Sequence, residues 1–264
     1  MAHPSSNEPG RSFDQEAERY DRVRPRYPAA LFDVLIELAD LRPGARVLEI
    51  GAGTGIATLS LAQRGFAITA VEPGPAMAAV ARRTLSSFAN VEVIFSAFEE
   101  WSLPEEPFDL VLSATAFHWL DRATRYVKSA AALREGGHLA IVEYCHVGGG
   151  DRDFFTTVQR CYERFVPGTP TKVPMPEWNQ QPDTSEIDTS PLFELAAVRQ
   201  FKEEVRSTRE EYISLLATYS GSLTMPDENR TRLFDCIGSI IDTDFGGRIT
   251  KAYRHELILA RRNH

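Results

Sequence analysis

Val47-Leu48-Glu49-Ile50 runs without a break into Gly51-Ala52-Gly53-Thr54-Gly55, and no other stretch restricts the fold of this chain as strongly. A short apolar run that meets closely spaced glycines reads as a buried strand turning directly into a helix. Glycine accepts positive φ and lets a ligand approach the backbone without meeting a Cβ. The helix beyond the turn presents unpaired N–H groups at its start. The stretch therefore reads as a nucleotide or nucleoside cradle, with a purely structural glycine turn as the alternative. Its spacing is G-x-G-x-G, not the G-x-G-x-x-G of dinucleotide sites, which fits a ligand without a pyrophosphate.

The surrounding pattern extends this reading. Leu31, Val34, Leu35 and Leu38 recur at helical spacing with Asp33 and Glu37 between them, and Pro43-Gly44 ends that helix. Further strands are expected at Ile68–Val71, Val91–Phe95, Phe108–Ser113 and Leu139–Glu143, with helices from Leu59 to Gln63, near Pro75 to Ser87, and from Asp121 to Leu133. Strands separated mostly by helices specify an α/β fold with a doubly wound, mainly parallel sheet, because parallel neighbours need crossover connections. Residues 148–191 depart from the pattern. They hold a helix, Asp153–Phe165, and a Pro-, Thr- and Gln-rich loop, Pro167–Pro182, of the length that marks lids and binding loops. Leu195–Val205 returns to strand, Thr208–Tyr219 and Glu228–Ile241 read as helices, and Arg248–Leu259 as a closing strand. One domain is expected: an N-terminal lid segment over 1–28, a cofactor-binding core over 40–145, an inserted lid over 148–191 and the remainder of the sheet over 192–264.

The charge balance is 29 Lys+Arg against 37 Asp+Glu, a formal −8, which disfavours nucleic acid as the main partner. Cys145, Cys161 and Cys236 form no CxxC pair, and their odd number suits reduced thiols in a cytoplasmic protein. Met1–Gly10 is polar and lacks the apolar core of a signal peptide, and no membrane span is expected. No His/Cys/Asp/Glu cluster has metal-ligand spacing, so no metal is implied, and G-x-S-x-G is absent.

Glu72 ends the second strand about 20 residues beyond the glycine loop, where a carboxylate commonly accepts both ribose hydroxyls. Together, the loop and Glu72 resemble the class I S-adenosylmethionine-dependent methyltransferases in their small-molecule branch. Glu49–Gly55 looks like that family's first motif and Glu72 like its ribose-binding acid. Phe108–Ser113 resembles the fourth-strand motif, and Leu133–Gly137 the turn before strand five. Tyr20–Pro28 and Phe117–Asp121 look like a subgroup related to trans-aconitate methyltransferases. The resemblance implies a seven-stranded Rossmann-like sheet with an antiparallel last strand and S-adenosyl-L-methionine as cofactor. It implies a cofactor site from Tyr20, Arg24, Glu49, Gly51, Ala52, Gly53, Gly55, Glu72, Pro73, Met77, Ala97, Phe98 and Ser113. Many relatives carry an acid after strand three, where this chain has Ala97 and Phe98; adenine recognition would then rest on backbone and apolar packing near Phe98, with Glu99 as a substitute.

Methyl transfer mainly requires a nucleophile held in line with the methyl carbon. His118 follows strand four at the carboxyl edge of the sheet, and its ordinary pKa near 6.5 suits proton removal from an acceptor. Loop capping or substrate positioning are its other readings. Trp119 reads as a pocket wall or core residue. Arg22, Arg24 and Arg26, beside Tyr20 and Tyr27, offer guanidinium groups to a carboxylate of cofactor or substrate, or form a solvated basic segment. Glu143, Tyr144 and His146 end strand five and are placed to face the same pocket. The expected function is methyl transfer to a small molecule, most simply to oxygen. An NAD-dependent oxidoreductase and a non-catalytic cofactor-binding regulator are the alternatives, and RNA or protein methylation is weakened by the acidic balance.

Overall fold

A computed structural model describes residues 16–168 and 175–263. The Met1–Gly10 reading and the middle of the Pro167–Pro182 loop lie outside these residues. In chain order come α1 (Ala17–Val23), α2 (Ala29–Leu38), β1 (Arg46–Ile50), α3 (Ile56–Ala62), β2 (Ala67–Glu72), α4 (Pro75–Thr84), β3 (Val91–Phe95) and β4 (Phe108–Ala114). A single 3-10 turn, Phe117–Trp119, leads to α5 (Arg125–Ala132) and β5 (Leu133–His146). Then follow α6 (Arg152–Thr157), α7 (Gln159–Phe165), α8 (Ser185–Asp188), β6 (Phe193–Thr208), α9 (Arg209–Ala217), α10 (Ser220–Leu223), α11 (Asp227–Asp244) and β7 (Arg248–Arg262).

The strands form one sheet in the order β3-β2-β1-β4-β5-β7-β6. β1 to β5 run parallel, and β7 pairs antiparallel with both β5 and β6. This is the seven-stranded, mainly parallel sheet that the resemblance implied. The strand order reverses between β1 and β4, and a crevice opens at such a reversal beyond the carboxyl ends of the strands.

Helices cover both faces, as parallel strands require. Leu31, Phe32 and Leu35 of α2 and Leu61 of α3 pack on one face against Val47, Leu110, Leu112 and Leu257. Ala130 and Ala132 of α5, with Phe98 and Phe117, close the other against Leu48, Val111 and Ile141. A third core is separate: Phe154, Val158 and Cys161 pack with Tyr212, Leu216, Leu233, Ile237 and Ile241. The insertion and the C-terminal helices thus share one cap.

Four expectations need correction. Cys161 and Cys236 are joined by a disulfide between α7 and α11 and only Cys145 is free, so the reading of reduced thiols does not hold for that pair. Packing in the cap core brings together two residues 75 positions apart, which no spacing rule detects. β5 begins at Leu133, and Gly136-Gly137 lie inside it where the pairing with β4 is irregular, so they mark a bulge and not a turn ahead of the strand. α5 starts at Arg125, after a turn over Asp121–Thr124, and the helix expected over Asp153–Phe165 is divided at Val158. Among the described residues, no helix is long and apolar enough to cross a membrane.

Candidate functional site

β1 ends at Ile50, and the three glycines after it are all in the left-handed region, at φ +68° for Gly51, +58° for Gly53 and +86° for Gly55. A Cβ on Gly51 would stand 2.5 Å from the Ala116 Cβ, so only glycine lets the loop pass under the end of β4. A Cβ on Gly53 would meet nothing within 4 Å; there the demand is conformational. Gly55 caps the start of α3.

Glu72, at the end of β2, links this loop to the next. Its Oε2 accepts from the Gly53 N–H at 2.7 Å and its Oε1 from the Gly74 N–H at 2.8 Å. A carboxylate oxygen can accept from more than one donor. Above this carboxylate lies a cavity of about 420 Å³, within the usual range for small-ligand sites. Of the sequence-derived residues, Tyr20, Arg24, Gly51, Gly53, Glu72 and Pro73 line it, as do Met77, Ala97, Phe98 and His118. Glu99, Trp119 and His146 join them.

Glu49, Ala52, Gly55 and Ser113 lie behind the lining. Ser113 donates to the Ile50 carbonyl at 3.1 Å and locks β4 to β1. Ala52 is buried, and its N–H reaches the Val71 carbonyl at 3.2 Å. Glu49 is buried under the loop, and desolvation pushes its carboxyl up to about 8.

Tyr20 and Arg24 come from α1 and its C-cap. The Arg24 guanidinium donates to the Tyr144 hydroxyl at 2.7 Å, the Thr218 hydroxyl at 3.1 Å and the Thr218 carbonyl at 2.8 Å. It also lies 4.6 Å from the Tyr20 ring centre and 4.9 Å from that of Tyr219. The N-terminal segment is thereby fastened to both β5 and the end of α9. Burial raises the Tyr20 phenol above its ordinary value, opposed by Arg24. Arg22 and Arg26 are exposed, and Arg26 turns back to the Asp21 carbonyl at 2.7 Å.

His118 sits at the mouth, half exposed, with Nδ1 3.1 Å from Glu143 Oε1 at the end of β5. Its ring lies 4.8 Å from that of Trp119, which is 42% exposed. Glu99 accepts from the Asp121 N–H at 3.0 Å and holds the loop that carries these two residues.

Sequence reading missed Ile50, Val71, Thr115, Ala116, Leu120, Tyr219 and Ser220. Thr115 has φ +55°, a costly conformation for a β-branched residue, and its hydroxyl meets that of Tyr27 at 2.8 Å. Its place directly after the fourth strand was the one available signal. Tyr219 and Ser220 had none, since the cap brings them to the cavity.

Residues 47–137 match the family described as Methyltransferase domain. An uncharacterized methyltransferase of Mycobacterium tuberculosis is 38% identical over 131 residues, which are 50% of this chain and 51% of that protein. The chain thus spans about half the length of such curated relatives. A solved chain from Anaeromyxobacter dehalogenans, provisionally named a type II methyltransferase, superposes with a TM-score of 0.61 at 25% identity, covering 91% of this chain and 99% of the other. A phosphoethanolamine N-methyltransferase of Haemonchus contortus, solved with phosphomonomethylethanolamine and S-adenosylhomocysteine, shares the fold at a TM-score of 0.50 and 17% identity, over 94% and 59% of the two chains. Residues 47–137 are thus similar to a methyltransferase domain, and the chain shares the fold of the solved methyltransferases on which it superposes.

Proposed function

We propose that the chain transfers a methyl group from S-adenosylmethionine to an oxygen of a small-molecule acceptor held beside the cofactor. The observation that carries this reading is the Glu72 carboxylate, fixed by Gly53 and Gly74 at the base of a largely apolar cavity. When bound, the cofactor supplies a methyl group activated by its sulfonium. The protein's own task is then positional, which can lower such a barrier by about 7–11 kcal/mol.

Glu72 would accept the ribose hydroxyls, and Val71, Phe98 and Leu120 would enclose the adenine. The backbone at Gly51 and Gly53, with Tyr20 and Arg24, would close on the methionine part. The acceptor is left the space toward His118, Trp119, His146 and Tyr219. Glu143 holds His118 through Nδ1, which leaves Nε2 to take a proton from an acceptor hydroxyl. The N-terminal segment, pinned through Arg24, serves as one flap of the lid, and the cap carrying Tyr219 and Ser220 serves as the other. A formal charge of −8 supports a small acceptor over nucleic acid.

Calorimetry with S-adenosylhomocysteine and NAD, followed by methyl consumption across a panel of small acceptors, tests the reading. Tighter binding of NAD would overturn it. Cofactor binding without any turnover would favour a regulatory role, and a product methylated at nitrogen or carbon would refute the oxygen assignment.

A further inference from the structure

On the wall that Tyr219 contributes to the cavity, a buried cation stands behind the lining. Lys251 of β7 is 3% exposed, and its Nζ lies 5.3 to 5.9 Å from the ring centres of Tyr253, Tyr212, Tyr219 and Phe155. Among the described residues it has no carboxylate partner; its hydrogen bond goes to the Tyr219 hydroxyl at 3.5 Å. The same hydroxyl lies 3.2 Å from Nε2 of His146, a residue that lines the cavity.

An ammonium can only donate, so the Tyr219 oxygen receives from Lys251. The single Tyr219 proton can then go to the imidazole nitrogen or to the neighbouring Tyr253 hydroxyl. Imidazole is the far stronger base, and a hydroxyl that already receives a charged donor gives its proton more strongly. Nε2 of His146 is therefore an acceptor, and in a neutral ring the hydrogen must reside on Nδ1.

We propose that Lys251, acting through the Tyr219 hydroxyl, fixes His146 with its proton on Nδ1 and so makes this wall a hydrogen-bond donor for a carboxylate or carbonyl oxygen of the acceptor. The ligand part of this inference rests on the acceptor occupying the space assigned to it above. Burial, with the Lys251 and Arg24 charges, pushes His146 down to about 3, so the ring is neutral in ordinary buffers. Desolvation, with Arg24, brings Lys251 down to about 7. The groups facing Lys251 are Phe155 from α6, Tyr212 from α9, Tyr219 after α9, Tyr253 from β7 and His146 from β5, with Arg24 beyond them. The lock therefore holds between the His146 and Lys251 values and loosens as the pH rises through that of Lys251.

Nitrogen-15 NMR of histidine-labelled protein tests the arrangement without any turnover, with His146→Gln assigning the resonance. At about pH 6, below the value at which Lys251 loses its charge, His146 should carry its proton on Nδ1. Lys251→Met and Tyr219→Phe should each release it to a mixture of tautomers, so one variant suffices if the other does not fold. A proton on Nε2 in the wild type, or an unchanged tautomer in Tyr219→Phe, overturns the proposal. Acetate added to the protein saturated with S-adenosylhomocysteine should shift the Nδ1 resonance, and ethanol should not. No shift with acetate overturns the ligand assignment. Failure to bind S-adenosylhomocysteine, read separately by calorimetry, would instead defeat the methyltransferase reading.

Discussion

Replacing Glu49 with Gln should stabilise the protein, and increasingly so as the pH rises. Glu49 is 1% exposed on β1, and its Oε2 has no hydrogen-bond partner among the described residues. Desolvation raises its carboxyl from 4.5 to about 8; the Glu72 charge adds to the shift and the Thr58 hydroxyl opposes it. The unfolded chain releases this proton at the ordinary value, so between 4.5 and about 8 the folded state binds more protons than the unfolded one. Stability therefore falls as the pH rises across that window. Below the window the group costs nothing, and above it the full penalty applies. At about 1.36 kcal/mol per unit, the penalty is about 1 kcal/mol near pH 5.5 and about 3 kcal/mol near pH 7. Glutamine keeps the shape of the protonated carboxyl and has no proton to lose. Urea unfolding of both proteins at about pH 5.5, 7 and 8.5 should show a stability gap that widens by about 3 kcal/mol from the lowest to the highest pH. A gap that does not change with pH would refute the reasoning, because it would mean that Glu49 titrates alike in both states.

Glu72→Gln sets an amide N–H₂ against a backbone N–H and removes the charge, a loss of about 1.5–3 kcal/mol, so calorimetry should find S-adenosylhomocysteine bound about 10- to 150-fold more weakly. With a hydroxyl acceptor, His118→Ala should lower turnover by about 10²–10⁴-fold, and Glu143→Gln by less; equal turnover in wild type and His118→Ala at every pH would remove the base. The Cys161–Cys236 bridge spans 75 positions, a closure worth about 4 kcal/mol in the chain-entropy treatment. Reductant should lower the unfolding temperature in calorimetry, and thiol titration should count only Cys145 before reduction.

Much of the fold was legible because its signals are local. Val47–Gly55 needs only a buried strand and backbone that accepts positive φ, and Val91–Phe95 appears as a strand with its expected bounds. Glu72 was legible for the same reason, since a strand end after a glycine loop is a fixed station in this topology. Glu49 and Ser113 show the limit of motif reading: each belongs to the pattern, yet each faces inward, one buried under the loop and one bonded to Ile50.

The sequence by itself determined the alternation of strands and helices, the glycine cradle and the acid beside it, because strand period, helix period and glycine's φ range act over a few residues. Only the tertiary structure decided which far-apart segments close the cavity. Arg24 meets Thr218 across 194 positions, Cys161 meets Cys236, and the Tyr219 hydroxyl lies between His146 and Lys251. These contacts exist because α6, α7, α9 and α11 bury a core of their own against one another. Burial of that kind depends on shape and volume summed over the whole cap, and it leaves no periodic trace in the residues it brings together.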